Sequence, residues 1–362
     1  MKLSSIKIVN FRNYEHEYIE FNNNLNVIYG NNGEGKTNLV EAIYVLSLTK
    51  SFRTNNDKNL IKSNELSTKI EGVVEKENND QRYQIIINGE GKKVKINNNI
   101  QSRISDYVSN INIVVLQPEE QTIFSSSPSE RRKLINIEIS QIKKEYLIEL
   151  NKYNKILKQR NFYLRQLFIN GNASIDYLNI LTKELIKYGM KIYEMRDNFI
   201  NKINNYINGE YQKNFEVGYL NIKYNSDYKN KTADDIFNLY KKNYNREINI
   251  GKTIYGIHHD DFIFCLDNKN ISEWGSNGQQ KNAILAFKLA EIEVFKQETN
   301  DYPILILDDV FSALDIKKIK NVLKNLNKSI QIFITTTELN KIGKKLLNNV
   351  KLINIKNGRI EE

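Results

Sequence analysis

The sequence is poor in cysteine, and its hydrophobic runs are short. Its one cysteine, Cys265, lies in an apolar run where we expect a core residue, and a lone thiol cannot form a disulfide framework. No stretch approaches the roughly 18 consecutive apolar residues that a membrane-spanning helix needs. The first residues continue into an alternating strand pattern, which is not that of a signal peptide. The sequence therefore predicts a soluble, cytoplasmic protein with no membrane association.

Acidic residues are outnumbered, and unevenly so along the chain. The 362 residues include 53 Lys+Arg and 43 Asp+Glu, a net charge of +10. Between Ser126 and Ile250 we count 22 basic and 14 acidic residues, so the rest of the chain is nearly neutral. This excess favours a polyanionic partner, although Asn, Lys and Ile are abundant throughout, so that some of these lysines are ordinary solvated surface.

The most specific motif is a complete G-x-x-x-x-G-K-T between a predicted strand and a predicted helix: Gly30-Asn31-Asn32-Gly33-Glu34-Gly35-Lys36-Thr37. Its glycines let successive N–H groups point into one concavity, and the helix N-terminus adds partial positive charge. We expect Lys36 to reach the β- and γ-phosphates and the Thr37 hydroxyl to ligate Mg²⁺. The motif predicts a site for a nucleoside triphosphate.

Two carboxylates, Asp308 and Asp309, follow a predicted apolar strand at 303–307. A strand that is apolar along its length is typical of a parallel sheet covered on both faces. Asp308 matches the Walker B aspartate that holds the Mg²⁺ shell, and Asp309 is placed to orient or deprotonate a water. Gln117, after a predicted strand at 111–116, is a candidate Q-loop residue. We therefore assign catalytic roles to Asp309, Lys36 and Gln117.

A third motif, from Gly275 to Gln279, lies about thirty residues before Asp308 and precedes a helix predicted over 282–297. It resembles the signature of ATP-binding-cassette ATPases, in which a serine hydroxyl, glycine amides and a helix dipole bind an anion. In that class the signature closes on the γ-phosphate held by the other subunit, so the resemblance implies an ATP-dependent head-to-head homodimer. The residues concerned are Gly275, Ser276, Asn277, Gly278 and Gln279.

Two later segments match the same class. Residues 312–315 are placed like its D-loop, with Asp315 as the acidic residue. A strand predicted from Ile330 ends at Thr335 and Thr336, where cassette transporters usually carry a switch histidine. Both threonines are candidate switch residues.

The middle of the chain has helical periodicity. Apolar residues recur at helix spacing from Ile139 to Leu167 and again from Leu178 to Tyr206, which predicts two helices of about thirty residues, each about 45 Å long. We predict an α/β fold: an ABC-type ATPase head, with a mixed sheet carrying the glycine loop and a flanking antiparallel β-subdomain, plus an inserted helical arm. The ATPase domain comprises 1–125 and 251–362, and the basic helical domain comprises 126–250.

Together these strings resemble the RecF family of bacterial DNA-repair ATPases, which is related to SMC heads. Besides the motifs above, the resemblance is carried by short strings along the chain: Asn10-Phe11-Arg12-Asn13-Tyr14, Thr37-Asn38, Ser51-Phe52-Arg53-Thr54, Pro118-Glu119, Ser127-Pro128, Arg131-Arg132 and Gly256-Ile257-His258-His259-Asp260-Asp261. The last of these strings departs from the family pattern at two positions, since Ile257 and His259 stand where the family usually has proline and arginine, and the Arg-Arg string continues as Lys133-Leu134-Ile135-Asn136 where the family commonly has Phe-Leu-Asp.

The resemblance implies an ATP- and Mg²⁺-dependent dimer that clamps duplex-containing, gapped DNA. It implies cooperation with the RecO and RecR mediators, support of recombinase loading and of the SOS response, and weak, DNA-stimulated hydrolysis that serves as a switch. It also adds Asn38 and Arg53 to the ATP-binding residues.

Two other classes remain as alternatives: the ATPase subunit of an ABC transporter and an SMC-like structural chromosome organiser. Against the transporter stand the threonines in place of a histidine, Asp309 in place of the usual glutamate, and the basic helical insertion. Against the organiser stands the helix length, because helices of about 45 Å are too short for a long arm. Stimulation of ATP hydrolysis by DNA would discriminate among them.

Overall fold

The structure is a computed structural model that describes residues 1–76, 79–169, 174–215, 218–310, 316–339 and 350–361. The chain divides into two compact units, the first comprising Met1–Gln121, Gly209–Val217 and Lys281–Glu362, the second Thr122–Asn208 and Gly218–Gln280. None of the helices in the described ranges combines the length and apolar composition needed to cross a membrane.

The strands are β1 (Lys2–Phe11), β2 (Tyr14–Glu20), β3 (Leu25–Tyr29), β4 (Ser67–Lys76), β5 (Asn79–Asn88), β6 (Gly91–Ile96), β7 (Asn99–Ile100), β8 (Ile113–Leu116), β9 (Leu220–Asn225), β10 (Asp261–Leu266), β11 (Lys269–Asn270), β12 (Ile304–Leu307), β13 (Ile332–Thr336), β14 (Val350–Lys356) and β15 (Arg359–Glu361). The helices are α1 (Lys36–Leu48), α2 (Ser105–Val108), α3 (Pro128–Ile142), α4 (Lys144–Ile169), α5 (Ile175–Asn214), α6 (Ala233–Ile250), α7 (Ile271–Trp274), α8 (Asn277–Thr299) and α9 (Ile316–Asn325). Two 3₁₀ helices cover Asp57–Leu60 and Pro118–Phe124.

The first unit contains the predicted mixed sheet, in the order β15-β14-β3-β13-β12-β8. Its strands pair in parallel except for β15, which is antiparallel to β14. Every residue of β8 and β12 is buried, as expected for apolar strands covered on both faces. Because β3, β13, β12 and β8 are parallel neighbours, the segments that follow them emerge at the same edge of the sheet.

A second, antiparallel sheet in this unit has the order β2-β1-β4-β5-β6-β7. Helix α1 contacts β13 of the mixed sheet and β1, β4 and β5 of the antiparallel one. The helix is buried almost all round, which is what a helix covered on two faces requires. The predicted ABC-type ATPase head with a flanking antiparallel β-subdomain is confirmed.

The second unit contains α3, α4 and α6, most of α5, and the sheet β11-β10-β9. The predicted first helix, Ile139 to Leu167, is wrong in one respect, because the extended backbone of Lys143 separates α3 from α4. The apolar spacing continues across this break, since Ile139 and Tyr146 are both buried. Helix α5 runs for 40 residues and extends past Tyr206 to Asn214, which makes it about 60 Å long.

Strand pairing also determines where residues 251–280 belong. Strand β10 pairs along its whole length with β9, a short strand between two helices of the insertion. These residues therefore pack with the helical unit, whereas the sequence-based boundary placed them in the ATPase domain.

Candidate nucleotide site

The glycine loop lies between β3 and α1, and its conformation requires glycine at two positions. At Gly30, whose φ is +153°, an added Cβ would lie 2.3 Å from the carbonyl oxygen of Ile355. Gly35 precedes the first residue of α1 with a φ of +117°, and a Cβ there would lie 2.7 Å from Nδ2 of Asn13. Within the described residues no side chain caps this helix, so an anion could accept hydrogen bonds from its first turn.

The Lys36 ammonium lies inside the loop. Its Nζ donates to the carbonyl oxygens of Gly30 at 2.8 Å and Asn31 at 2.7 Å. Burial lowers the pKa of Lys36, while the nearby carboxylates, Asp309 first, act in the opposite direction. The outer part of the loop, Asn31 to Gly33, is exposed, so a ligand can approach the ammonium from solvent.

Asp308 lies at the end of β12 and is surrounded by three polar side chains. The Thr335 hydroxyl donates to its Oδ1 at 2.6 Å, and the Thr37 hydroxyl donates to the same oxygen at 3.2 Å. The amide nitrogen of Gln117 lies 3.5 Å from its Oδ2. Burial raises the pKa of Asp308, and the hydrogen bonds from Thr335 and Thr37 oppose that rise. Thr335 lies in β13 and Gln117 directly follows β8, the two strands that flank β12, while Thr37 lies in the first turn of α1.

Thr335 also fixes the backbone of Asp309. Its Oγ1 accepts the Asp309 N–H at 2.8 Å while its own proton goes to Asp308. Asp309 has a φ of +48°, a left-handed conformation that costs a non-glycine residue about 1 kcal/mol. The second predicted switch threonine, Thr336, instead accepts the Glu338 N–H in the turn after β13. Among the described contacts, only the first of these two threonines therefore joins the carboxylate cluster.

The donors gathered at Asp308 are those that Mg²⁺ prefers. Mg²⁺ is usually held by hard oxygen ligands from one or two side chains, with phosphate oxygens and water completing its shell. The Thr37 hydroxyl and the Asp308 carboxylate supply such oxygens within one cluster, and Gln117 reaches the same carboxylate through its amide nitrogen. The residues present therefore fit a bound magnesium ion.

The loop is supported from behind by the segment that joins β1 to β2. Asn13 donates through Nδ2 to the carbonyl oxygen of Glu34 at 3.0 Å and accepts at Oδ1 from Asn38 at 2.7 Å. The Tyr14 hydroxyl donates to the Gly35 carbonyl at 2.9 Å. These bonds hold the loop without occupying its exposed side.

A buried carboxylate, Glu41, connects this support to a neighbouring loop. Arg12 donates to it through Nε at 2.9 Å and Nη2 at 2.7 Å, and the Ser51 hydroxyl donates at 2.5 Å. Arg53 lies 3.5 Å from Glu41 and donates to Asn38 at 2.8 Å, while its side chain stays 47% exposed. Glu41 is not among the residues predicted from sequence, although a glutamate inside the apolar run Leu39–Ile43 signals a buried charge that needs a partner.

The signature residues lie in the second unit, and the structure corrects the predicted start of their helix. Helix α8 begins at Asn277 rather than at residue 282. The reason is a reciprocal cap in which Gln279 Oε1 accepts the Ser276 N–H at 2.9 Å and Ser276 Oγ accepts the Gln279 N–H at 3.3 Å. Ser276, Asn277 and Gly278 are exposed at this N-terminus. The predicted D-loop residue, Asp315, lies outside the described residues.

The two departures from the family pattern in the segment 256–261 fall in the second unit. Ile257 is buried, and its carbonyl oxygen accepts from Arg196 at 2.7 Å. His259 is exposed, with its Nε2 3.3 Å from the carbonyl oxygen of Thr253. Ile257 thus fills core space, and His259 keeps a polar side chain at the surface.

The second unit is the more basic one, but part of its charge is used internally. It holds 23 Lys+Arg and 16 Asp+Glu, against 30 and 27 in the first unit. Three of its arginines form ion pairs within the unit: Arg131 with Asp261, Arg160 with Glu247 and Arg196 with Asp260. The cations left for a polyanion are mainly exposed lysines on the helices.

Each comparison with known proteins matches this chain over nearly its whole length. The domain family described as RecF/RecN/SMC N terminal domain matches residues 2–361. Proteins named DNA replication and repair protein RecF are 38% identical in Pediococcus pentosaceus, over 99% of this chain and 98% of that protein, and 36% identical in Enterococcus faecalis, over 100% and 99%.

Solved structures give the same result. The structure of the recombination mediator protein RecF with ATP, in the RecFOR pathway, has a TM-score of 0.91 at 30% identity and covers 99% of this chain and 97% of that one. An Smc head bound to the C-winged helix domain of ScpA has a TM-score of 0.57 at 15% identity, covering 100% and 97%, and so shares the fold alone.

Proposed function

The chain belongs to the RecF family of DNA replication and repair proteins, and from this premise we propose that it binds ATP and Mg²⁺, dimerises with ATP and closes on DNA. ATP binding acts as the switch, and hydrolysis is slow and stimulated by DNA. The observation that carries the proposal is the convergence of Thr37, Gln117 and Thr335 on Asp308, beside the ammonium of Lys36.

In the proposed site the backbone N–H groups of the loop and of the first turn of α1 bind the phosphates. Lys36 turns from the carbonyl oxygens of Gly30 and Asn31 to the β- and γ-phosphates, which are stronger partners for an ammonium than neutral carbonyls. Asn38 and Arg53 complete the binding set at the side of the loop, since Arg53 already contacts Asn38.

Asp308 and Thr37 would hold Mg²⁺, with Gln117 beside them, and the ion would offset the charge of the phosphates. Asp309 orients the attacking water and accepts its proton. Thr335 positions both carboxylates because one hydroxyl contacts the side chain of Asp308 and the backbone of Asp309. This division separates metal binding from proton transfer.

The exposed signature of one copy would complete the site of a second copy. Ser276 to Gln279 present a hydroxyl, amide groups and a helix N-terminus to solvent, a set that suits a γ-phosphate. Because each copy offers one loop and one signature, two copies can share two nucleotides in a symmetric dimer. Asp315 belongs to the proposed interface by its place in the sequence.

DNA binding would rest mainly on phosphate contacts from exposed cations of the second unit, joined by the ATPase unit. The proposed DNA ligand contains duplex and a gap, and the protein binds it in the cytoplasm. Through the family resemblance we include the RecO and RecR mediators as partners, with support of recombinase loading and of the SOS response. The net charge of the second unit supports the DNA part of this proposal.

The deciding experiment is sedimentation of the purified protein with and without ATP·Mg²⁺, repeated with gapped DNA. We expect a monomer without nucleotide, a dimer with ATP, and a heavier complex when DNA is added to the dimer. A sedimentation coefficient that does not respond to ATP would contradict the dimer.

The variant Ser276→Arg tests the shared site. The added side chain should leave ATP binding to the monomer unchanged and block the dimer, because the signature must approach the phosphates at backbone distance. Ser102→Arg adds the same charge at an exposed serine of the first unit and serves as the control. A normal ATP-dependent dimer of Ser276→Arg would argue against a composite site.

Salt dependence tests the mode of DNA binding. Contacts to phosphates release counterions, so the logarithm of the affinity should fall linearly with the logarithm of salt, by about 0.9 per phosphate neutralised. Sequence preference should be slight, because phosphate contacts carry no base information. Salt-insensitive binding, or a strong preference for single strands without ATP, would contradict this reading of the basic unit.

A further inference from the structure

Trp274, the chain's one tryptophan, lies directly before the signature and is 71% exposed. The ammonium of Lys269 lies 5.5 Å from the centre of its ring. Tryptophan carries a large apolar surface, and its burial dominates many protein interfaces. We therefore expect that a binding partner buries this indole, which is exposed to water beside the proposed interface.

The backbone holds Trp274 in a defined place. Ile271, at the other end of the four-residue helix α7, is buried, and the Asn270 side chain accepts the Ser272 N–H at 3.1 Å. The Gly275 N–H donates to the Ile271 carbonyl at 3.0 Å, and a Cβ at Gly275 would lie 2.5 Å from that oxygen. The turn between Trp274 and Ser276 is therefore tight, and the indole accompanies the signature.

A second observation at this surface is Gly278. A Cβ built there would find its nearest neighbour, Ser276 Oγ, at 3.9 Å, which is ordinary contact distance. Packing within the described chain thus gives no reason for glycine at this position, and its φ is not left-handed. The missing side chain leaves room for an approaching group from outside the chain.

The local charge helps to identify that group. The segment 267–281 has two lysines and two acidic residues, Asp267 and Glu273, so it carries no net charge. A neutral surface with one large aromatic side chain is typical of a protein interface and not of a phosphate-binding stripe. A second copy of the chain fits this surface better than DNA does.

We propose that Trp274 is an anchor of the ATP-dependent dimer, buried against a second copy of this chain when the signature closes on that copy's nucleotide. The inference rests on the proposed function and adds to it a specific residue that couples ATP to assembly. It gives Trp274 no part in binding ATP to the monomer.

Because the chain has one tryptophan, its own fluorescence reports on this contact. ATP·Mg²⁺ should shift the emission to shorter wavelength and protect the indole from iodide quenching, with a midpoint in protein concentration equal to that of dimer formation by sedimentation. ADP should cause neither change. The control is Tyr18→Trp in a Trp274→Phe background, which places an indole at an exposed aromatic position of β2 in the first unit.

Substitution gives an independent readout. Trp274→Ala should raise the dimer dissociation constant about tenfold or more and leave ATP binding to the monomer unchanged, while Trp274→Phe should keep most of the dimer affinity. A dimer that forms with ATP while the Trp274 emission stays constant would overturn the inference and leave the proposed function standing.

Two other outcomes would also overturn it. Failure of ATP to form any dimer in sedimentation would remove the proposed function and this inference together. An emission change caused by duplex or single-stranded DNA in the absence of ATP would assign the surface to nucleic acid instead.

Discussion

The nucleotide loop and the helical unit both bury arginine–carboxylate pairs, but they differ in what remains exposed around them. In the helical unit Arg160–Glu247 and Arg196–Asp260 are buried on both sides. Arg196 also donates to Tyr146, Asn136 and the carbonyl oxygen of Ile257, so that with Asp260 four of its five N–H donors are engaged. At the loop Glu41 is buried, while the side chain of Arg53 beside it remains 47% exposed.

The buried arginines of the helical unit therefore stabilise the fold, whereas the cations at the nucleotide loop remain available to bind a ligand. A buried guanidinium whose donors are mostly engaged is not available to a ligand, and removing it leaves a buried carboxylate uncompensated. An ammonium held by two neutral carbonyls, as Lys36 is, can exchange them for phosphate oxygens. Substitutions in the helical unit should therefore change stability, and substitutions at the loop should change binding.

The largest effect is expected for Arg196→Met. Asp260 would lose its ion pair, and burial already raises its pKa, so the free energy of unfolding should fall by about 3–5 kcal/mol. Denaturant unfolding measures the change. Arg131→Met is the matched control. Its partner Asp261 is partly exposed, so the loss of this ion pair should lower the free energy of unfolding by less. A loss no larger than that of the control would remove the distinction drawn here.

Lys36→Ala should show the opposite behaviour. ATP affinity should fall about a thousandfold, since the charge of the phosphates loses its closest cation in a partly desolvated site, while the free energy of unfolding should change by less than about 1 kcal/mol. Equilibrium titration with ATP measures the affinity. Lys93→Ala removes an exposed lysine from β6 and should change neither quantity. Undiminished binding by Lys36→Ala would mean that the loop is not the site.

Asp309→Asn sharpens the comparison within the site. The amide keeps the shape of the carboxylate but cannot accept a proton, so hydrolysis should slow about a hundredfold while ATP binding persists and the dimer lives longer. Asp308→Ala should instead weaken binding of Mg·ATP. Single-turnover hydrolysis and nucleotide titration separate the two effects. Hydrolysis by Asp309→Asn at the parental rate would show that another group is the base.

The smallest effect is expected for Thr335→Val. Valine matches threonine in shape but lacks the hydroxyl that links Asp308 to the backbone of Asp309, so hydrolysis should slow about tenfold and the free energy of unfolding should fall by about 1 kcal/mol. Thr335→Ser retains the hydroxyl and should restore the rate. If serine and valine behave alike, the hydroxyl does not position the carboxylates.

Several features were determined by sequence alone because they depend on residues close together in the chain. The glycine loop needs a strand, two constrained glycines and a helix start within about a dozen residues, and all of them were predicted. The apolar strand before Asp308 and the mixed sheet that contains it followed from local hydrophobicity in the same way. The roles assigned to the individual site residues stay predictions.

Other features depended on which distant segments meet, and these only the tertiary structure decided. The order β3-β13-β12-β8 selects Thr335, rather than Thr336, as the partner of Asp308 and brings Gln117 beside it. Pairing of β10 with β9 assigns residues 251–280 to the helical unit. The fold likewise brings Glu41 together with Arg12 and Ser51, which lie in other segments of the chain. Strand order and long-range pairing carry no local periodicity, because they arise when separate segments bury their apolar faces together.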